Sequence, residues 1–141
     1  MKKVGILMGS DSDLPIVEKA IDTLKQYGVP FEVHVYSAHR TPVEAKDFSA
    51  NARKNGFGAI IAAAGMAAHL AGAVAANTTL PVIGIPVATV AIDGAANAAL
   101  LAIQILAVED ATLAEKLDKA RVDGANKVLE KNKAIEDKFN S

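Results

Sequence analysis

The chain of 141 residues has no cysteine and no tryptophan, and aromatic residues make up only 4% of it. Without cysteine there is no disulfide framework and no thiolate metal site, which suits a reducing compartment. An excess of either charge is also missing. Lys and Arg number 15 against 16 Asp and Glu, with a sequence pI of about 6.3. That balance excludes a broad basic surface for nucleic acid or anionic lipid. Long hydrophobic runs are scarce. The opening MKKVGILMGSDSD is cut off by Ser and Asp too early for a signal peptide. Residues 59–76, AIIAAAGMAAHLAGAVAA, carry no charge and just reach spanning length. They are mostly Ala and Gly without flanking aromatic anchors, so they read as a buried strand and a tightly packed helix. His34, His39 and His69 show no metal-ligand spacing. There is no G-x-S-x-G elbow, no Walker loop and no G-x-G-x-x-G.

What is present is an alternation of strand and helix patterns. The chain is 51% hydrophobic, enough for one domain with a real core. KKVGILM (2–8), FEVHVYS (31–37), FGAIIAAA (57–64) and LPVIGIPV (80–87) read as strands, and ATVAI (88–92) as a further one. Helices are expected over 14–28, 42–56, 66–76 and 97–108, the first two ending in Gly. This order predicts an α/β fold: a three-layer α/β/α sandwich around a parallel sheet. The charged tail from Asp110 to Ser141 repeats Leu113, Leu117, Ala120, Val128, Ile135 and Phe139 at near-heptad spacing. It is an extended C-terminal helix that packs either on its own domain or on a neighbouring subunit. The whole reads as one domain, 1–108 as core and 109–141 as helix. Residues 57–108 carry almost no charge apart from Asp93, which predicts a homo-oligomer.

Three loops at the carboxyl ends of strands hold the candidate chemistry, where open α/β sheets bind ligands. SAHRTPVE follows the second strand. Thr41 suits an N-cap, Pro42 the first helical position and Glu44 position N3, a capping box that leaves Ser37, Ala38, His39 and Arg40 in the loop. GSDSD (9–13) follows the first strand. Gly9 allows close backbone approach, and Ser10 and Ser12 place hydroxyls at a helix start, which favours anions; either Ser12 or Asp13 also reads as a plain N-cap. Asp11 and Asp13 would repel a bare phosphate, so a phosphorylated sugar fits better. AAGMAAH (63–69) follows the third strand. There Gly65 stands in a small-residue wall, and His69 is either a core histidine or part of the site. One imidazole, one guanidinium, carboxylates and hydroxyls suit acid–base chemistry on a small phosphorylated metabolite.

MGSDSD, SAHRTP, AAHLAG and PVATVAI with NAALLA together resemble 5-(carboxyamino)imidazole ribonucleotide mutase, the class I family of purine biosynthesis, from Lys3 to about Leu106. The resemblance implies a flavodoxin-like parallel sheet, a cytoplasmic homo-octamer with sites at subunit contacts, and a C-terminal helix docked on neighbours. It implies a ribonucleotide substrate and transfer of a carboxylate from the exocyclic nitrogen to C4, without metal, ATP or organic cofactor. His39 takes the position of the general acid and base, and Ser10, Asp13 and Arg40 the ribonucleotide-binding positions. Gly9, Ser12, Ser37, Ala38, Gly65 and His69 complete the expected site. The class II relatives, which carboxylate with CO2 directly, carry Lys at the place of Arg40 and lack the following Pro. A receiver-like sensing module would need an acidic phosphoacceptor at the end of the third strand, where Ala63-Ala64-Gly65 stand. A sugar-phosphate isomerase using His39 is the other enzymatic alternative.

The sequence departs from this family in the pocket wall, with Met66 for a common Gly and Ala71 for a common Pro. A larger departure is PVIGIPVATVAI (81–92). Two parallel strands need a crossover of about a dozen residues or more, and the family carries a long stretch between two G-(V/I)-P tripeptides. Here Gly84 to Pro86 serves for both. About twenty residues are expected to be absent between Ile83 and Ala88, either disordered or deleted, and a deletion would cost the site part of its cover.

Overall fold

The computed structural model describes residues 1–64, 69–86 and 94–140. In chain order they form β1 (Lys3–Met8), a 3-10 turn (Asp11–Asp13), α1 (Leu14–Tyr27), β2 (Phe31–Val35), α2 (Pro42–Asn51), β3 (Phe57–Ala64), α3 (Leu70–Ala75), β4 (Val82–Pro86), α4 (Ala95–Ala107) and α5 (Ala111–Phe139). The strands pair in parallel in the order β2-β1-β3-β4. The expected α/β/α layering is observed, with a four-stranded sheet among the described residues.

Period-two alternation splits the core into two layers. Val4, Ile6, Met8, Ala59, Ile61 and Ala63 face α1, α4 and Leu113 of α5. Leu7, Ile60 and Ala62 face the other way, onto Leu70 and Val74 of α3 and Phe48 of α2. β1 and β3 are therefore apolar on both sides, as inner parallel strands must be. The chain moves from β1 outward to β2, then crosses back over β1 to β3. That reversal opens a crevice above the carboxyl ends of β1 and β3.

Several boundaries differ from expectation. α1 ends at Tyr27 because Gly28 adopts φ 69 and its N–H closes on the last carbonyls. α2 stops at Asn51 rather than at 56, because the chain winds into turns that end at Gly56, φ 87. β2 stops at Val35. α4 begins two residues early, at Ala95. The expected strand over 88–92 and the residues Gly65 and Met66 lie outside the described residues. So does part of the expected break, although Val82 to Pro86 runs as one strand.

α5 divides in two. Asp110 caps it by accepting the Leu113 N–H at 3.0 Å, and Lys116 Nζ donates to the Tyr27 carbonyl at 2.9 Å. Leu113 is fully buried and Leu117 packs against the same core. From Asp118 onward every described residue is exposed, including Val128, Leu129, Ile135 and Phe139. No helix among the described residues is long and apolar enough to cross a membrane.

Candidate active site

The loop after β1 is tied by its own hydroxyls. Ser10 is the N-cap of the 3-10 turn. Its Oγ accepts the Ser12 N–H at 3.3 Å and lies 2.9 Å from Ser12 Oγ. Asp13 precedes α1 without a side-chain cap bond, which leaves its carboxylate for other work. That residue is only 7% exposed. Burial raises its pKa above the usual carboxylate range. A backbone hydrogen bond from Ser10 opposes the shift, and the Asp11 charge adds to it.

The loop after β2 closes differently from the expected capping box. Thr41 occupies the N-cap position of α2 but makes no side-chain cap bond. Its hydroxyl turns back instead, accepting the Ser37 N–H at 2.8 Å and donating to the Ser37 carbonyl at 3.2 Å. Ser37 Oγ in turn accepts the N–H groups of His39 and Arg40 at 3.3 and 3.1 Å. A nearby carbonyl–amide pair outcompetes the helix end for the Thr41 hydroxyl. The result is a one-turn cage that fixes the backbone of residues 37–41 and projects His39 and Arg40 outward, both exposed.

Gly9, Ser10, Ser12, Asp13, Ser37, Ala38, His39 and Arg40 line one open cavity of about 470 Å³, together with Ala64 at the end of β3 and Leu70 at the start of α3. Eight of the expected residues thus converge at the crevice between β1 and β3. His69 is not a core histidine. It is exposed, precedes α3, and presents its ring edge-to-face to His39 with centroids 6.5 Å apart. Gly65 lies outside the described residues. Ala64 and Leu70 are additions to the expected lining; Leu70 is 3% exposed and reads in sequence as plain core. No group of acids and histidines suited to a metal ion occurs among the described residues.

This arrangement offers an anion site in the guanidinium and hydroxyls, an acceptor for sugar hydroxyls in Asp13, and a proton carrier in His39 above a small, largely neutral floor. The family described as AIR carboxylase matches residues 3–88 and 84–127, so residues 84–88 match two places in it. The N5-carboxyaminoimidazole ribonucleotide mutase of Pyrococcus horikoshii is 45% identical over 157 aligned positions, covering 95% of this chain and 89% of that protein. The phosphoribosylaminoimidazole carboxylase of Saccharomyces cerevisiae is 44% identical over 156 positions, covering 94% of this chain and 27% of that protein. The crystal structure of Treponema denticola PurE covers 98% of both chains with a TM-score of 0.82 at 24% identity, a likeness of fold. In the Pyrococcus alignment, 157 positions take up 95% of 141 residues, about 134, so about 23 positions have no residue here. The yeast alignment leaves out about as many, its 156 positions taking up 94% of the chain. By the extent of the matched model and by identity to these relatives, the chain belongs to the AIR carboxylase family.

Proposed function

We propose that the chain acts in purine biosynthesis as a mutase. It converts 5-carboxyamino-1-(5-phosphoribosyl)imidazole to 5-amino-1-(5-phosphoribosyl)imidazole-4-carboxylate by moving the carboxylate from N5 to C4. The observation that carries this reading is the convergence of His39, Arg40, Ser10 and Asp13 on one cavity, in a chain 45% identical to a protein named as that mutase. Arg40 and the Ser10 and Ser12 hydroxyls hold the phosphate, with charge-assisted bonds of about 1.5–3 kcal/mol each. Asp13 accepts from ribose hydroxyls. His39 protonates the carbamate nitrogen, which releases CO2 and leaves an electron-rich aminoimidazole. The same imidazole then takes the C4 proton as the ring is recarboxylated. One imidazole, with a nitrogen that can give a proton and take one back, can do both. No residue role in this scheme calls for a metal or an organic cofactor.

A direct CO2-dependent carboxylase is the second reading, favoured by the similarity to the yeast carboxylase. Arg40 followed by Thr41 and Pro42 favours the mutase. Incubating the protein separately with the carbamate substrate and with aminoimidazole ribonucleotide plus bicarbonate, and following the ultraviolet change of the imidazole, separates the two. Production of 4-carboxylate only from the second mixture overturns the mutase reading.

The same proposal includes a cytoplasmic homo-octamer in which α5 packs on neighbouring subunits. Its support is the length of exposed helix beyond Asp118, with Val128, Leu129, Ile135 and Phe139 each at least 60% exposed. Such a row offsets the entropy of its ordering only when covered. Light scattering at micromolar concentration should return a multiple of the chain mass of 14.6 kDa; a monomer overturns it.

A further inference from the structure

Thr41 stands at the N-cap of α2 but does not serve that helix. A threonine there ordinarily accepts an N–H of the first turn, and Thr41 makes no such bond. Its hydroxyl is used twice on one residue instead. It accepts the Ser37 N–H at 2.8 Å and donates to the Ser37 carbonyl at 3.2 Å. The Thr41 N–H closes on the same carbonyl at 3.0 Å. Three bonds between these two residues lock the ends of the loop together. The hydroxyl accepts and donates at once, and valine, of nearly the same shape, supplies neither function. Thr41 is half-buried and is not part of the cavity lining, so its work is done through its neighbours.

Ser37, held in this way, holds the reacting end of the loop. Its Oγ accepts the N–H groups of His39 and Arg40 at 3.3 and 3.1 Å. On its other side the loop is fastened to the sheet. The peptide unit between Met8 and Gly9 accepts the Tyr36 N–H at 2.9 Å and donates to the Ala63 carbonyl at 3.1 Å. That single unit ties the loop after β2 to the ends of β1 and β3, and Thr41 carries the tie on to His39. The two side chains borne on this frame differ in reach. Arg40 carries its charge on a long stem with many rotamers, which can make up a displacement of the backbone. His39 carries its ring on a short stem and cannot. Proton transfer needs the ring within hydrogen-bond reach of the reacting atom, and a misplacement of about 1 Å can cost about 10²-fold in rate.

We propose that Thr41 is a positioning residue for the proton transfers: through Ser37 it sets the His39 ring against the reacting atoms, and it adds little to ribonucleotide affinity. This rests on the mutase reading above, in which His39 moves the proton and Arg40 holds the phosphate. The division between rate and affinity follows from the difference in reach of the two side chains. A threonine that only stabilised the fold would lower the melting temperature and leave the turnover of each folded molecule unchanged.

The test compares Thr41→Val, which keeps the shape and removes the hydroxyl, with Thr41→Ser, which keeps the hydroxyl, both in the full chain. Initial rates on the carbamate, corrected with a protein-free blank, give kcat and KM. Calorimetry with aminoimidazole ribonucleotide gives affinity. Thr41→Val should lower kcat about 10- to 100-fold and weaken ribonucleotide binding by less than about threefold. Thr41→Ser should restore kcat to within about threefold of the unsubstituted chain. Unchanged kcat in Thr41→Val overturns the proposal. So does a loss of affinity as large as the loss of kcat, or a Thr41→Ser variant as slow as Thr41→Val. Hydrogen exchange of the unsubstituted chain, read by mass spectrometry on the peptide spanning residues 36–42, decides the matter if Thr41→Val fails to fold. The closed loop should protect its amides, and exchange at the rate of an open loop overturns the proposal. Absence of protein-dependent consumption by the unsubstituted chain overturns the mutase reading itself and this inference with it.

Discussion

Among the described residues, the two edges of the sheet are finished in different ways. At β2 the sequence FEVHV alternates, and its polar residues are engaged. Glu32 accepts from Lys3 Nζ at 2.7 Å, and Lys3 Nζ also lies 4.5 Å from the centre of the Phe57 ring. His34 stacks on Tyr36 with centroids 5.0 Å apart and 5° between planes, and Phe48 packs against both. This edge meets water with charge and with rings that cover its flank, which discourages another strand from joining. β4 has none of these devices. A strand's composition follows the neighbours it packs against, and β4 stands at the edge among the described residues, which stop at Pro86 and resume at Gly94. The polar residues of the candidate active site sit in loops after β1 and β2, and its floor is made by Ala64 at the end of β3 and Leu70 of α3. The polar lining and the β4 flank are thus carried by different elements, which meet where Ala64 pairs with Pro86.

The largest effect should come from the β2 side. His39→Asn removes the proton carrier while the cage of Ser37 and Thr41, built on backbone groups, stays closed. Turnover of the carbamate should fall by about 10² or more, with ribonucleotide binding still measurable by calorimetry. A variant keeping most of its activity would place the chemistry elsewhere. Next is Arg40→Ala. Loss of one or two charge-assisted bonds should weaken binding of aminoimidazole ribonucleotide about 10- to 100-fold. Affinity unchanged in calorimetry would show that the phosphate is held by another group.

How much of this is legible in the sequence follows the same division. β3 is legible to the residue, because Gly56 stops the preceding turn and the apolar run FGAIIAAA ends where the loop begins. The eight expected residues that line the cavity are legible because strand ends are positions, and positions follow from strand–helix alternation. The capping box does not form, because sequence spacing cannot tell which of two nearby partners a threonine hydroxyl selects, and here it selects Ser37. The apolar neighbours of His69 suggest core, but it comes just before the first residue of α3 and so stands at the surface. Leu70 gives no signal of its own, since a buried leucine serves packing and pocket lining with the same side chain. The length of α5 beyond Asp118 is visible as a pattern; whether it packs on its own domain is not, because near-heptad spacing fits either partner, and here the helix leaves the domain after Leu117.

A smaller effect separates the two flanks by stability. Gly58 lies between β1's end of the sheet and the last turn of α4. A Cβ there would clash with Leu106 Cδ2 and come 2.9 Å from Lys2 Cβ. Leu106 can shift toward a hollow that it borders, so Gly58→Ala should cost about 1–3 kcal/mol rather than abolish folding. Urea denaturation reads the change. A loss below that range would mean that the α4 flank yields freely; a larger one would mean that it is packed as tightly as the β2 side.

The smallest effect expected is a pH dependence in which the two sides have opposite signs. Glu32 has its pKa lowered, chiefly by the hydrogen bond from Lys3. A carboxyl with a depressed folded pKa adds stability above its unfolded pKa and loses it as pH falls through the folded value. Glu32 is exposed at the sheet edge, so that contribution is small. Asp13 has its pKa raised, chiefly by burial. Its folded state therefore prefers the neutral acid, and ionisation subtracts stability as pH rises from the unfolded pKa to the folded one. At neutral pH the buried carboxylate is a standing cost, of the kind binding sites carry. Asp13→Asn should raise the melting temperature of the free protein at neutral pH. It should also remove the fall in stability expected of the native chain as pH rises from the ordinary aspartate pKa to the raised folded one. The same variant should bind aminoimidazole ribonucleotide more weakly, since an amide presents one acceptor where the carboxylate presents two. A melting temperature that drops at neutral pH, with the slope unchanged, would mean that Asp13 holds the β1 loop together and is not reserved for ligand.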